Sequence, residues 1–269
     1  MKTFLKKTAF SAVKKFIPES KLALKLRQIK WAVERRLAAR FYDINNGSAT
    51  LRLNGNLAGR QIIFPDYEKV RPLSAHIEMP GYFQVSLLKE GQTIIDAGAA
   101  PGDFTVLASQ IIGPTGRVYA FEPDPERRSY LEEMLKANNA THNVEIVPLG
   151  LNDSRRGITF FKGHGGLYDV RFNEHRYGHT SLKVETTSLD EFSGGKNIDV
   201  IKMDIEGTEL NAVQGARRLI QETHPSFIIA SYHMVHGVPT WKILEPFFHQ
   251  HYKNVKTLFI DHRTTYAYN

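Results

Sequence analysis

The stretch Thr93-Ile94-Ile95-Asp96-Ala97-Gly98-Ala99-Ala100-Pro101-Gly102-Asp103-Phe104-Thr105 decides the fold. A short apolar strand runs into Asp96, a turn carries Gly98 and Gly102, and a helical pattern begins directly after. Glycine lets a backbone turn lie close to a ligand, and the first turn of a helix offers unpaired N–H groups. A second apolar strand over residues 117–121 ends in Glu122-Pro123. A carboxylate at that strand end can accept both hydroxyls of a ribose. Strand, glycine turn, helix, strand, acid is the sugar-binding half of a doubly wound α/β fold.

Spacing discriminates between ligands. Dinucleotide folds use G-x-G-x-x-G, in which the second glycine lets a pyrophosphate touch the backbone. Here the order is G-A-A-P-G, one glycine short, and Pro101 removes a donor inside the loop. Asp96 would also set a negative charge beside any diphosphate. An acidic loop suits a cationic ligand without phosphates. S-adenosylmethionine meets these demands: a ribose for Glu122, a cationic amino-acid end for the Asp96 loop. The competing reading is an ordinary strand-to-helix turn whose glycines serve packing.

A chain of 269 residues with 42% hydrophobic and 11% aromatic residues can bury one large α/β domain behind an N-terminal extension. With no cysteine there is no disulfide, thiolate metal site or Cys nucleophile. The net charge of +7 is unevenly spread. Residues 1–40 hold twelve Lys or Arg against Glu19 and Glu34, so the rest of the chain is slightly acidic.

No apolar run approaches the roughly 18–20 residues of a membrane-spanning helix, and Lys14 and Lys15 interrupt any signal-peptide core. A cytoplasmic protein is expected. Residues 1–45 read as a basic amphipathic helical arm. The stripe Leu22, Leu26, Ile29, Val33, Leu37 fits packing on the body or on a second copy of the chain, with peripheral membrane contact through residues 1–40 as the competing reading.

Residues 46–90 read as a small β-hairpin (50–53 with 61–64) and a short helix at 82–88. Residues 91–269 form the main domain. Its expected elements are strand 93–97, helix 103–112, strand 117–121, helix 125–138 and strand 144–148. After an irregular and hairpin region at 149–190 come strand 198–203, helix 208–221, strand 226–232 and helix 239–250. Two terminal strands lie near 254–260 and 264–268. This alternation predicts a parallel sheet with helices on both faces, and the consecutive final strands predict an antiparallel edge.

A second stretch, residues 198–215, reads I-D-V-I-K-M-D-I-E-G-T-E-L-N-A-V-Q-G. Asp204 falls at the C-terminal end of a buried strand, where ligands bind in such sheets. Asp204, Glu206 and Glu209 bring three carboxylates to one crevice, a pattern that favours a proton acceptor or a cation site. Glu206 and Glu209 also fit the simpler role of acids at a helix start, which is the preferred reading for Glu209.

The motifs I-I-D-A-G-A-A-P-G-D-F-T, A-F-E-P-D-P, V-P-L-G-L-N-D-S, T-S-L-D-E-F and, above all, I-D-V-I-K-M-D-I-E-G-T-E-L-N-A-V-Q-G-A resemble the FkbM family of S-adenosylmethionine-dependent methyltransferases over residues 90–260. The resemblance implies a class I methyltransferase (Rossmann-like) fold and methyl transfer to a hydroxyl oxygen of a sugar, glycan, lipid or other small molecule. It places Asp96, Gly98 and Gly102 around the methionine end of the cofactor, Glu122 on the ribose, and Leu149 and Gly150 by the adenine. Ala99, Phe104, Thr105, Pro123 and Asp204 are also counted among the cofactor's neighbours. Ala100-Pro101 departs from the family, whose members commonly carry Asn and an apolar residue there.

The transfer needs an aligned acceptor and a group to take its proton. Asp204 is the first candidate, and His233, after the 226–232 strand, the second, since imidazole titrates near neutral pH. Glu206 completes the expected catalytic set, and His236 is placed with the acceptor. No metal is assigned, because Asp204, His233 and Glu206 are only a plausible ligand set. Residues 163–182 read as a lid whose Tyr168, Arg171, His175, Arg176 and Tyr177 would hold a sugar ring or an anionic group.

Other acceptors fit less well. Methylation of a base or amide nitrogen calls for an N/D-P-P-aromatic motif where this chain has M-D-I-E-G. Pyrimidine-carbon methylation needs an absent cysteine. The A-A-P-G loop resembles ribose 2′-O-methyltransferases of RNA, but those need several lysines. Only Lys202 is near, and alternation is expected to turn it away from Asp204. RNA is therefore the second reading, and a non-catalytic cofactor-binding scaffold the third.

Overall fold

The computed structural model describes residues 42–45, 47–53, 57–66, 85–163, 166–169, 181–259 and 263–269. Strands β1 (Tyr42–Asn45), β2 (Ser48–Arg52) and β3 (Gln61–Phe64) form a three-stranded antiparallel sheet. The expected hairpin is thus its β2–β3 half. Of the helix expected at 82–88, the described part is a single 3-10 turn at Val85–Leu87. Of the helical arm expected at residues 1–45, residues 1–41 lie outside the described residues, and Tyr42–Asn45 is the extended strand β1 rather than part of a helix.

The main sheet has seven strands. In chain order these are β4 (Thr93–Ala97), β5 (Arg117–Phe121), β6 (Val144–Val147), β11 (Val200–Met203), β12 (Ser226–Ala230), β15 (Asn254–Phe259) and β16 (Arg263–Tyr268). Their spatial order is β15-β16-β12-β11-β4-β5-β6. The five strands from β12 to β6 are parallel, and β16 pairs antiparallel with both β12 and β15. The chain leaves β4 towards β6, then returns to lay β11 on the other side of β4. That reversal opens a crevice at the C-terminal ends of β4 and β11.

Both faces of the central strands are buried, so these strands read as near-continuous apolar runs. Ile94 and Ile95 point to opposite faces by the two-residue period, and two cores follow. On one side Ile94 joins Phe104 and Leu107 of α1 (Asp103–Ile112), Leu131 and Met134 of α2 (Pro125–Ala137), and Phe64 of the small sheet. Asn138 ties that sheet down, donating to the Ile63 carbonyl at 2.7 Å and accepting from the Ile63 amide at 2.8 Å. On the other side Ile95, Phe121, Ile201, Leu219, Phe227 and Phe248 pack together.

Helix ends follow local chemistry. Asp124 caps α2 by accepting from the Glu126 amide at 2.9 Å, and Pro125 fills the first helical position. Ser188 caps α3 (Leu189–Ser193) by accepting from the Glu191 amide. The expected helix 208–221 is two helices, α4 (Glu209–Gln214) and α5 (Arg217–Thr223). The break has a cause in α3. The Asp190 amide donates to the Gly215 carbonyl, while its carboxylate accepts from the Arg218 and Leu219 amides. This fixes a fresh helix start that a continuous helix could not offer.

The region expected to be irregular with a hairpin, 149–190, contains a second sheet. It is built from β7 (Gly150–Leu151), β8 (Arg156–Gly163), β9 (Gly166–Asp169) and β10 (Ser181–Thr187), in the order β7-β10-β8-β9. The expected hairpin is β8–β9 within that sheet. Beyond β12 a two-stranded ribbon, β13 (Met234–Val235) and β14 (Val238–Pro239), precedes α6 (Trp241–Phe248), which shortens the expected 239–250 helix. Among the described residues no helix is long and apolar enough to cross a membrane.

Candidate active site

Two rows of acids line the crevice, one from β4 and β5, the other from β11 and α4. Asp96 is fully buried at the end of β4 and does not present a bare charge. Its Oδ2 accepts from Thr105 Oγ1 at 2.5 Å, and its Oδ1 stands 2.9 Å from the Lys202 ammonium. Lys202 also donates to the Gly98 carbonyl at 3.1 Å. Burial disfavours the Lys202 charge, but Asp96, with help from Asp204 and Asp103, outweighs it and raises the pKa. The expectation that Lys202 turns away from Asp204 is therefore corrected. Residues two apart on a strand share a face, and the Lys202 ammonium feels the Asp204 charge.

The glycine turn is tighter than a ligand alone requires. Gly98 has φ +72°, and a Cβ there would stand 2.0 Å from the Asp204 carbonyl oxygen. At Gly102, φ +114°, a Cβ would meet Leu131 Cδ1 at 2.9 Å. Packing of β4 on the β11 loop and of α1 on α2 thus demands both glycines. The packing reading holds for their side-chain positions, while their backbone still rims the crevice.

Phe104 and Thr105 were expected beside the cofactor. Phe104 is instead a buried core ring with the Lys202 ammonium 5.7 Å from its centroid, and Thr105 is buried on Asp96. Both act through the Asp96–Lys202 pair. Ala99 is buried, and its amide, like that of Gly98, donates to the Phe121 carbonyl at 3.0 Å.

Glu122, buried at the end of β5, keeps its carboxylate at the crevice rim. It accepts from the Asp124 amide at 3.0 Å and the Ala100 amide at 3.4 Å, with Arg127 Nε 3.4 Å from Oε2. Burial raises its pKa above the ordinary 4.5, and Arg127 opposes the shift. Arg127 also donates to the Ala100 carbonyl at 2.9 Å, bracing the loop at the family departure. Pro123 is half-buried, and its carbonyl accepts from Arg128. Leu149 is half-buried against the second core, whereas Gly150 is buried on β7 against Thr186 and Val184. Gly150 is therefore a position where packing of β7 on β10 leaves little room for a side chain.

The second row is differently built. Asp204 follows β11, its amide bonded to the Ala97 carbonyl at 3.0 Å, so its position is set by β4. The Tyr232 hydroxyl donates to Asp204 Oδ1 at 3.3 Å. His233, nine-tenths buried, stands among three carboxylates. Nε2 is 3.7 Å from Asp204 Oδ1 and 3.4 Å from Glu206 Oε2, and Nδ1 is 2.8 Å from Glu209 Oε1. Burial opposes a charged ring. Glu209 first, then Glu206 and Asp204, overcome that penalty and hold its pKa well above 6.5. Beside three acids the shift runs upward, away from the ordinary imidazole range expected from the sequence.

Glu209, read as a helix-start acid, is fully buried and accepts from the Ile205 and Gly207 amides at 3.1 and 3.3 Å. It has both roles, loop brace and His233 neighbour. His236 sits at the exposed turn of the β13–β14 ribbon with φ +49°, not in the buried cluster. Tyr168 lies on β9 opposite Phe161 in register. Arg171, His175, Arg176 and Tyr177 lie outside the described residues.

Sequence reasoning missed Tyr232 and Arg127 and set Lys202 aside. The two-residue strand period from Asp204 places Lys202 on the same face. Arg127 lies in the first turn of α2, one helix turn after the strand-end acid.

A doubly wound sheet with a glycine turn at β4, an acid after β5 and a strand-end acid after β11 is the class I methyltransferase arrangement, the fold of S-adenosylmethionine-dependent methyltransferases. The residues fit that cofactor, since the buried Glu122 carboxylate can accept from hydroxyls and Pro101 removes one backbone donor from the β4 turn. The methyltransferase FkbM domain matches residues 96–260, and the chain belongs to that family.

Two curated relatives are similar in sequence. Methyltransferase sdnD of Sordaria araneosa is 26% identical over 165 residues, covering 49% of this chain and 63% of that protein. Methyltransferase 1 of Beauveria bassiana is 27% identical over 158 residues, covering 49% and 61%. The chain thus spans about three fifths of the length of these relatives. The crystal structure of methyltransferase FkbM from Methylobacillus flagellatus KT superposes with TM-score 0.51 at 21% identity, over 73% of this chain and 50% of that one.

Proposed function

We propose that the chain methylates a hydroxyl oxygen on a sugar, glycan, lipid or other small molecule, with Asp204 as proton acceptor. The observation that carries the reading is Asp204 at the end of β11, oriented by Tyr232 and placed one residue-pair from the glycine turn of β4. S-adenosylmethionine supplies the methyl group on a sulfonium centre. Glu122 would hold its ribose, and the β4 turn its amino-acid end.

The chain's own groups align and deprotonate. Transfer would exchange the sulfonium's S–CH3 bond for the acceptor's new C–O bond, with the neutral thioether as leaving group. The hydroxyl proton would pass to the Asp204 carboxylate, which already has a donor in Tyr232. Water exclusion at a buried His233 and Glu209 strengthens each electrostatic contact there. The Lys202 ammonium, engaged by Asp96 and the Gly98 carbonyl, supports the hydroxyl compound over an RNA ribose.

The test is a radiolabelled methyl-donor assay on glycan, lipid and RNA fractions, using the full chain and a variant lacking residues 1–40. Label in glycan, lipid or a small hydroxyl compound is expected. Label in RNA that disappears without residues 1–40 would favour an RNA ribose acceptor instead. Binding of the demethylated product with no label in any fraction would favour a scaffold.

A further inference from the structure

Three carboxylates surround one imidazole at the acceptor end of the crevice, and their arrangement is incomplete as protein alone. Asp204, Glu209 and His233 each offer a ligand atom, and these atoms lie within 4.8 Å of one another. An acidic cluster by itself would mean little. Two buried side chains here also lack the partners that buried polar atoms normally have. Glu209 is fully buried, yet among the described residues only its Oε1 is bonded, to the loop amides of Ile205 and Gly207, and its Oε2 has no partner. His233 comes within ion-pair distance of three carboxylates, but neither ring nitrogen makes an aligned hydrogen bond. An imidazole that merely bridged two acids would point an N–H along each contact.

We propose that Asp204, Glu209 and His233 form a site for a divalent cation, with Glu206 at its edge. Two carboxylates and one imidazole, with no thiolate in the chain, suit Mn²⁺ or Mg²⁺, which take oxygen-rich, octahedral surroundings completed by water or substrate oxygen. The geometry is close to that need. Cis ligands around such an ion, with bonds of about 2.1 Å, stand about 3.0 Å apart. The His233 Nδ1 to Glu209 Oε1 separation is 2.8 Å. Asp204 has farther to come, and a small movement of the 204–207 loop would close the set.

Charge argues the same way. Three acids against one imidazole leave negative charge poorly balanced in a largely buried place, while the nearby Lys202 ammonium is held on Asp96. A bound dication would balance it and give an acceptor with adjacent oxygens, such as a vicinal diol, a fixed seat. This deepens the hydroxyl-acceptor reading and rests on it for its role in catalysis, though not for binding.

The experiment titrates Mn²⁺ into the full chain without acceptor, following free Mn²⁺ by electron paramagnetic resonance. One Mn²⁺ per chain is expected, with affinity falling at least tenfold in Glu209→Gln and in Asp204→Asn. The circular dichroism of each variant shows whether it folds. Should Glu209→Gln not fold, Asp204→Asn and His233→Gln decide. No Mn²⁺ uptake at millimolar concentration by the folded chain, or unchanged affinity in the folded variants, would overturn the site. Methyl transfer that persists in chelator, with no Mn²⁺ bound, would sink the cation and spare the hydroxyl reading. Mn²⁺ bound as expected, with label appearing only on nitrogen, would do the reverse.

Discussion

The two sides of the crevice handle negative charge in opposite ways. On the β4–β5 side each acid has its own cation: Lys202 on Asp96, Arg127 on Glu122. On the β11–β12 side Asp204, Glu206 and Glu209 crowd around His233. The first side is a finished cradle, its dipoles fixed before any ligand arrives, which is what positioning a cofactor requires. The second keeps charge in reserve, and a site that must take a proton or a cation during its work has to be built that way.

The sharpest way to break this comparison is Asp204→Asn. If the acceptor side carries the proton transfer, turnover on a working acceptor should fall about 10²–10⁴-fold, while calorimetric affinity for the demethylated cofactor stays within a few-fold. Full turnover in this variant would remove the carboxylate from the mechanism.

Lys202→Met tests the other side. It leaves Asp96 buried without its cation, and denaturant unfolding should show a loss of about 3–5 kcal/mol, partly recovered by adding Asp96→Asn. A loss confined to cofactor affinity, with stability unchanged, would mean that the pair is a ligand contact rather than a structural one.

The smallest effect belongs to Glu122. Its folded pKa lies above 4.5 because burial penalises the charge, so protonation favours the folded chain and weakens its grip on ribose hydroxyls. Affinity for the demethylated cofactor should therefore be full at neutral pH and decline as pH falls through the raised value. The decline should be several-fold and should begin above pH 4.5. Glu122→Gln should flatten that profile. The stability contribution has the opposite sign, present below pH 4.5 and lost as pH rises through the folded value.

Much of the scaffold was legible because parallel strands and their helices are written in local periods. The β4 turn, the acids after β5 and β11, and the antiparallel β15–β16 edge all lie where the apolar runs predict them. The errors have specific causes. The region 149–190 gave only a hairpin signal because β10 alternates exposed and buried positions and lacks the apolar run of the central strands. The single helix expected at 208–221 broke at contacts made by Asp190, a residue from another element. Phe104 and Thr105 lay in the right motif, yet they face the core, because the first turn of α1 turns inward onto Asp96.

What the chain alone determined is the frame: strand ends that carry acids, a turn that only glycine can make, and the order in which strands alternate with helices. These depend on neighbours in sequence, whose geometry is set by backbone sterics. Which cation faces which acid was decided by the assembled sheet. Lys202 meets Asp96 only because β11 lies against β4, and Glu209 meets His233 only because α4 folds back over the end of β12. Contacts between distant segments have no period to announce them, and burial then fixes how much charge each pair must carry.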